Sequence, residues 1–159
     1  MSDGFEVVVV GAGPAGCAAA YTLAKAGIQV LLVERSKFAG GKNVTGGVLY
    51  GSVLNDLIPE FWKEAPVERR VQRHVISMLS EKSSVSIDFN TDNSDHPESA
   101  GYTVLRAKFD RWFARKVEEA GGMVITGSRA DDLVMEDGRV AGILAGGDKI
   151  AARVVIAAD

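Results

Sequence analysis

The chain has 159 residues, 47% of them hydrophobic and 25% charged, with a formal charge of −3; that balance suits a folded domain with a sizeable core and excludes the broad basic surface that nucleic acid demands. One cysteine, Cys17, excludes an intrachain disulfide and a thiolate cluster for a metal. No run approaches the roughly 20 apolar residues that span a bilayer, and Met1 to Glu6 lacks the basic start of a secretory signal, so a cytoplasmic location is expected.

Val7 to Val10 is an unbroken β-branched run followed by turn residues, the pattern of a buried strand in a parallel sheet. Pro14 to Ala26 is small and apolar with proline where a first helical turn tolerates it, and Gly27 supplies the C-terminal stop. Ile28 to Val33 reads as a second buried strand ending in Glu34. Strand, helix and strand in this order make a βαβ unit. Ser36 to Gly51 is rich in glycine and reads as irregular, and Val53 to Phe61 as a short helix stopped by Pro59.

From Val71 the pattern alternates. Val71, Arg73, Val75, Ser77 and Leu79 share one parity and Val85, Ile87 and Phe89 another, with Glu81 to Ser84 between them, which predicts a hairpin of exposed strands. Asn90 to Gly101 is polar and is expected to be a mobile loop. Tyr102 to Leu105 leads into a helix with Phe109, Trp112, Phe113, Val117 and Ala120 on one stripe, closed by Gly121 and Gly122. Short β runs follow at Met123–Thr126, Leu133–Met135, Val140–Leu144 and Val154–Ala158, with hairpin turns at Asp137-Gly138 and Gly146-Gly147-Asp148. Because Val154 to Asp159 reads as a core strand, the chain is expected to continue beyond it, and residues 1–159 alone are expected not to turn over.

The chemistry concentrates at Gly11-Ala12-Gly13-Pro14-Ala15-Gly16. A glycine triplet alone is a weak signal, but this one follows a buried strand and opens a helix inside a βαβ unit. Gly11 permits the tight turn, Gly13 lets a pyrophosphate approach the backbone, and Gly16 lets helix pack on strand. The helix's positive end then meets the phosphates. Glu34 ends the second strand, where it can accept hydrogen bonds from a ribose diol, and its charge disfavours a 2′-phosphate. This argues for NAD or FAD over NADP and does not separate the first two. No acid–base or nucleophile pair is visible, so catalytic residues stay unassigned. His74 and His96, set apart in polar surroundings, give no metal pattern.

Gly-Ala-Gly-Pro-Ala-Gly resembles the opening of the large FAD-dependent oxidoreductase class, and Arg106-Ala107-Lys108-Phe109-Asp110-Arg111-Trp112-Phe113 resembles that class's arginine followed by an aspartate-bearing helix. Ile156-Ala157-Ala158-Asp159 resembles its strand ending beside the flavin. More narrowly, Gly41-Lys42-Asn43-Val44-Thr45-Gly46-Gly47-Val48-Leu49-Tyr50, Ile58-Pro59-Glu60-Phe61 and Ala65-Pro66-Val67-Glu68-Arg69 are similar to the FixC family of electron-transfer-flavoprotein:quinone oxidoreductases, with geranylgeranyl reductases as more distant relatives.

The resemblance implies FAD as cofactor, a Rossmann-like α/β FAD/NAD(P)-binding domain with a parallel sheet, crossover helix and β-meander, and an inserted substrate-side hairpin. The expected division is 1–70 and 101–159 for the FAD-binding domain and 71–100 for the insert. It further implies that Lys42 and Asn43 approach the isoalloxazine and ribityl chain, that Arg106 lies near the phosphates or the adenylate half, that the Ala130 backbone meets the adenine, and that Asp159 stands beside the flavin. Arg35 is placed to reach the adenine or its ribose, and Asp110 is expected to bond backbone near its helix start. The implied partners are an electron-transfer flavoprotein and a quinone or ferredoxin-like protein, with peripheral association of the full-length protein at the inner face of the cell membrane. The alternatives are a geranylgeranyl-reductase-like flavoenzyme and, from another class, a non-redox NAD-binding regulatory module. The cluster Glu68, Arg69, Arg70 and Arg73 reads as a solvated face, with a docking patch for an acidic electron carrier as its alternative.

Overall fold

The β-branched run that opens the chain forms strand β1 (Phe5–Val10), whose Val8 and Val9 are fully buried. In the computed structural model, which describes residues 4–92 and 95–159, β1 is followed by helix α1 (Pro14–Lys25) and strand β2 (Val30–Glu34). The N-terminal reading at Met1 to Asp3 and the middle of the 90–101 loop lie outside the described residues.

The strands β1 and β2 pair in parallel, Val8 opposite Leu31 and Val10 opposite Val33. On the far side of β2 lies β8 (Met123–Thr126), also parallel. On the other side of β1 lies β11 (Asp148–Ala157), parallel to β1 and antiparallel to β10 (Arg139–Ala145), which pairs in turn with β9 (Ala130–Glu136). The resulting order, β8-β2-β1-β11-β10-β9, is a parallel sheet with an antiparallel meander at one side. The α/β fold class read from the sequence is borne out. Val8, Leu31, Val33, Ile143, Ala145 and Ala152 form its core cluster. Asp137 and Gly138 take φ of 49° and 76°, as an Asp-Gly hairpin turn requires.

Helix α3 (Arg106–Glu119) packs on α1, with Tyr21 and Phe113 rings 6.5 Å apart. Its apolar stripe buries Phe109, Trp112, Phe113 and Val117 as the period predicts; Ala120 lies past the helix end and is half-buried.

The chain divides into two compact units, Met1–Thr45 with Arg106–Asp159, and Gly46–Leu105. The second unit is larger than the insert expected at 71–100. Its sheet joins β3 (Gly46–Tyr50), β7 (Gly101–Leu105) and β4 (Val67–Val71) in antiparallel pairs. Gly46 to Tyr50, read as irregular, is therefore a strand. A side chain at Gly46 would stand 2.8 Å from the carbonyl oxygen of Val104, so glycine here permits close pairing with β7. The helix expected to reach Phe61 stops earlier: α2 spans Gly51–Leu57, Ile58 is extended because Pro59 follows it, and Phe61–Lys63 make a 3₁₀ turn. The hairpin is β5 (Arg73–Leu79) with β6 (Ser84–Asn90), closed by Ser80 to Ser83, while Val71 belongs to β4. Ala100, expected in a polar loop, is fully buried, and its carbonyl accepts from the Gly51 N–H at 2.9 Å.

Candidate functional site

Between β1 and α1 the chain must reverse within three residues. Gly11 does so at φ 100°, with its N–H donating to the Val33 carbonyl at 2.8 Å. A side chain at Gly16 would stand 1.8 Å from the Gly11 carbonyl oxygen, so this glycine is fixed by contact between helix and turn. Gly13 differs: its backbone is ordinary extended chain (φ −79°, ψ −178°), and the place of a Cβ has no atom within 4 Å. That open space is where a bound group can come against the backbone. Among the described residues no side chain caps α1, and Pro14 stands in its first turn. Its leading N–H groups therefore carry the positive end of the helix dipole unneutralised.

Glu34 is half-buried at the end of β2. Its Oε2 accepts the Ala12 N–H at 3.0 Å and its Oε1 accepts the Ser36 N–H at 2.7 Å. Burial pushes its carboxyl up, but the bonds from Ala12 and Ser36 and the charge of Arg35 outweigh burial and hold it below the ordinary 4.5. Each carboxylate oxygen retains acceptor capacity for a ribose hydroxyl. Through these two bonds the residue closes the glycine turn onto β2. Cys17, under the same turn, is pushed up to about 12 by burial and by the charges of Asp110 and Glu34, and is inert.

The loop after β2 returns to α3. Arg111 places its guanidinium 4.1 Å from the centre of the Phe38 ring. Asp110 is fully buried. Its Oδ1 accepts from Arg106 Nε at 3.0 Å, and its Oδ2 accepts from Arg106 Nη2 at 3.1 Å and from Asn43 Nδ2 at 2.5 Å. The expectation that Asp110 bonds backbone at the helix start is corrected, because side chains on either side of it supply enough donors to satisfy the carboxylate.

These groups surround one cavity of about 260 Å³. Of the residues expected in the site, Gly11, Gly13, Pro14, Ala15, Glu34, Arg35, Lys42, Asn43, Arg106 and Asp159 line it. Ala12 and Gly16 are buried in the turn and act from behind the wall. Ala130 lines a neighbouring cavity of about 130 Å³ that shares Gly11, Glu34, Arg35 and Asp159 with the first. Sequence reasoning missed Ser36, Gly40, Gly41, Asp110 and Ala158 in the larger cavity and Ser128 and Arg129 in the smaller. Gly41, Asp110 and Ala158 carried a usable signal, since Gly41 and Ala158 lie in segments that carry the family resemblance and Asp110 is spaced i, i+4 from Arg106. His74 lies instead against the Tyr50 ring, 6.4 Å between centroids, and His96 pairs with Glu98. Arg73 pairs with Asp88 across the β5–β6 hairpin. Among the described residues, no helix is long and apolar enough to cross a membrane.

An open backbone at Gly13, a positive helix end, an ionised Glu34 and an exposed edge of Arg106 suit a long, doubly anionic ligand with a ribose at one end. A family model described as FAD dependent oxidoreductase matches residues 6–159, and the chain belongs to that family. Over 99% of its length it is 49% identical to a probable electron transfer flavoprotein-quinone oxidoreductase, YdiS, of Escherichia coli strain K12, and 47% identical to the protein FixC of Escherichia coli O157:H7. It spans 37% of the length of each of these relatives. Among solved structures it matches a geranylgeranyl bacteriochlorophyll reductase-like protein from Thermoplasma acidophilum with a TM-score of 0.76 at 30% identity, over 98% of this chain and 39% of that one. The myxobacterial chondrochloren halogenase CndH matches with a TM-score of 0.77 at 24% identity, over 98% and 37%, a likeness of fold alone. The resemblance to FixC proteins and the choice of FAD over NAD are borne out.

Proposed function

We propose that this chain holds the ADP half of FAD along the cavity lined by Gly13, Glu34 and Arg106 and that the intact protein passes electrons from an electron-transfer flavoprotein towards quinone or a ferredoxin-like acceptor. The observation that carries the binding site is the convergence of the uncapped α1 end, Glu34 and the Arg106–Asp110–Asn43 cluster on one cavity. The α1 end faces the pyrophosphate, Glu34 accepts from the adenosine ribose, and the smaller cavity at Ala130 receives the adenine. Lys42 and Asn43 meet the ribityl and flavin side, and Arg106 meets the phosphates or the adenylate half. FAD supplies the redox chemistry, and the protein supplies binding, orientation and electrostatics.

The electron-transfer reading rests on similarity to the Escherichia coli protein of that printed name. A quinone acceptor implies peripheral contact with the membrane's inner face, and residues 71–100 then belong to the substrate side. A second reading, reduction of isoprenoid double bonds, is favoured by the likeness to the Thermoplasma acidophilum protein. Purifying the intact protein and recording its visible spectrum tests the cofactor: a flavin band releasing FAD is expected, and a colourless protein that takes up no FAD sinks the assignment. Mixing it with reduced electron-transfer flavoprotein and a soluble quinone tests the reaction. Flavin reduction followed by quinone-dependent reoxidation supports electron transfer, whereas turnover only with a geranylgeranyl substrate selects the second reading.

A further inference from the structure

We propose that Asp110 is a positioning residue for the flavin, locking Asn43 of the glycine-rich loop and Arg106 at the head of α3 into one unit and setting which of their atoms remain for the cofactor. The inference rests on the FAD-site reading above. Asp110 is fully buried, whereas the Arg106 side chain is 32% exposed and Asn43 half-buried at the cavity wall. A buried carboxylate is tolerated only when its acceptor sites are met, and here two partners from separate segments meet them. The loop backbone rests directly on this residue: a side chain at Gly40 would stand 2.9 Å from the Asp110 Cβ.

Counting donors gives the consequence. Arg106 has five N–H groups, of which Nε and one on Nη2 face Asp110, leaving three for the cavity it lines. Those three suit phosphate or carbonyl oxygens. Asn43 is fixed by the same logic, because an ionised carboxylate accepts only. Its Nδ2 must face Asp110, which leaves Oδ1 as an acceptor for a hydroxyl of the cofactor chain. With a neutral amide at position 110, one oxygen would be replaced by a donor, the fork to Arg106 would lose an arm and Asn43 would be free to flip.

The test is an FAD titration of the FAD-stripped intact protein, read by fluorescence, with melting of the apoprotein and visible circular dichroism of the bound flavin. Asp110→Asn and Asn43→Ala are each expected to weaken FAD about tenfold, and their combination to weaken it little more than the worse single change, because both cut one network. The flavin dichroism should change in both, and the apoprotein of Asn43→Ala should melt somewhat below wild type, because the buried carboxylate loses one donor. Asp110→Asn that lowers only the melting temperature, with wild-type affinity and dichroism, overturns the proposal, as do independent, additive losses. If Asp110→Asn does not fold, Asn43→Ala decides alone, and wild-type affinity there overturns the proposal. Wild-type apoprotein that takes up no FAD removes the FAD-site reading itself, an outcome distinct from any variant-specific result.

Discussion

Gly13 and Gly16 belong to one motif and answer to opposite demands. Gly13→Val keeps an extended backbone that valine accepts and projects its side chain into open space, so the apoprotein should melt near the wild-type temperature while FAD uptake collapses. Gly16→Ala puts a methyl group 1.8 Å from a backbone oxygen and should lose fold and FAD together. Melting curves with and without FAD separate the two, and full flavin loading in Gly13→Val refutes the site. Glu34→Gln retains one acceptor but sets an amide N–H against a backbone N–H, which costs about 1–3 kcal/mol. FAD affinity should fall by about one to two decades, with FMN, which lacks the second ribose, unaffected. Because the folded carboxyl sits below its ordinary 4.5, its contribution is complete above 4.5 and disappears as pH falls through the lower folded value. The gap in melting temperature between wild type and Glu34→Gln should therefore be flat above pH 4.5 and shrink below it. The glycine turn and Glu34 were legible because their chemistry is local and their spacing fixed. The bond from Asn43 to Asp110 joins positions 67 apart, and nothing near either residue announces it.

At the scale of elements, period predicts existence better than register. The α3 stripe was legible because one face must be apolar over about four turns, and Val117, in its last turn, is fully buried. Val117→Ala should lower stability by about 1–3 kcal/mol, while Glu118→Ala, one position on and exposed, should stay within about 0.5 kcal/mol. Denaturant melts of the pair check this, and equal losses would show that α3 does not pack on this stripe. The β5–β6 hairpin shows the opposite case. Alternation was visible in both strands, but facing partners depend on where the turn closes, at Ser80 to Ser83. The actual register sets Ile76 opposite Ile87, Met78 opposite Val85 and His74 opposite Phe89, one apolar face, with Ser77 opposite Ser86 on the other. Strand β3 was missed because its glycines lower strand propensity, and only the approach of β7 explains them.

Over the whole molecule, burial grades the structure into parts that open together and parts that open alone. The centre of the parallel sheet was legible from unbroken apolar runs, since strands covered on both faces need no alternation. The extent of the second unit was not, because β3, β4 and β7 pair across long stretches of chain. Hydrogen exchange reads this grading directly. In β2, Val30 to Val33 are buried throughout, and β1 and β11 lie side by side within the six-stranded sheet. Their amides should exchange only through global unfolding, whereas β5 and β6, which among the described residues pair only with each other and are exposed at nearly every residue, should open locally. FAD binds the native state alone, so at about 100 times its dissociation constant it should add about 2.7 kcal/mol to global opening and slow the β1, β2 and β11 amides roughly 100-fold. The turn at Gly11 to Ala15 and the loop at Gly40 to Asn43 should slow by direct contact, while β5 and β6 keep their rates. Uniform slowing that includes the hairpin would mean that it opens only with the sheet, and an unprotected glycine turn in the FAD-bound protein would place the cofactor somewhere other than the cavity between α1, Glu34 and Arg106.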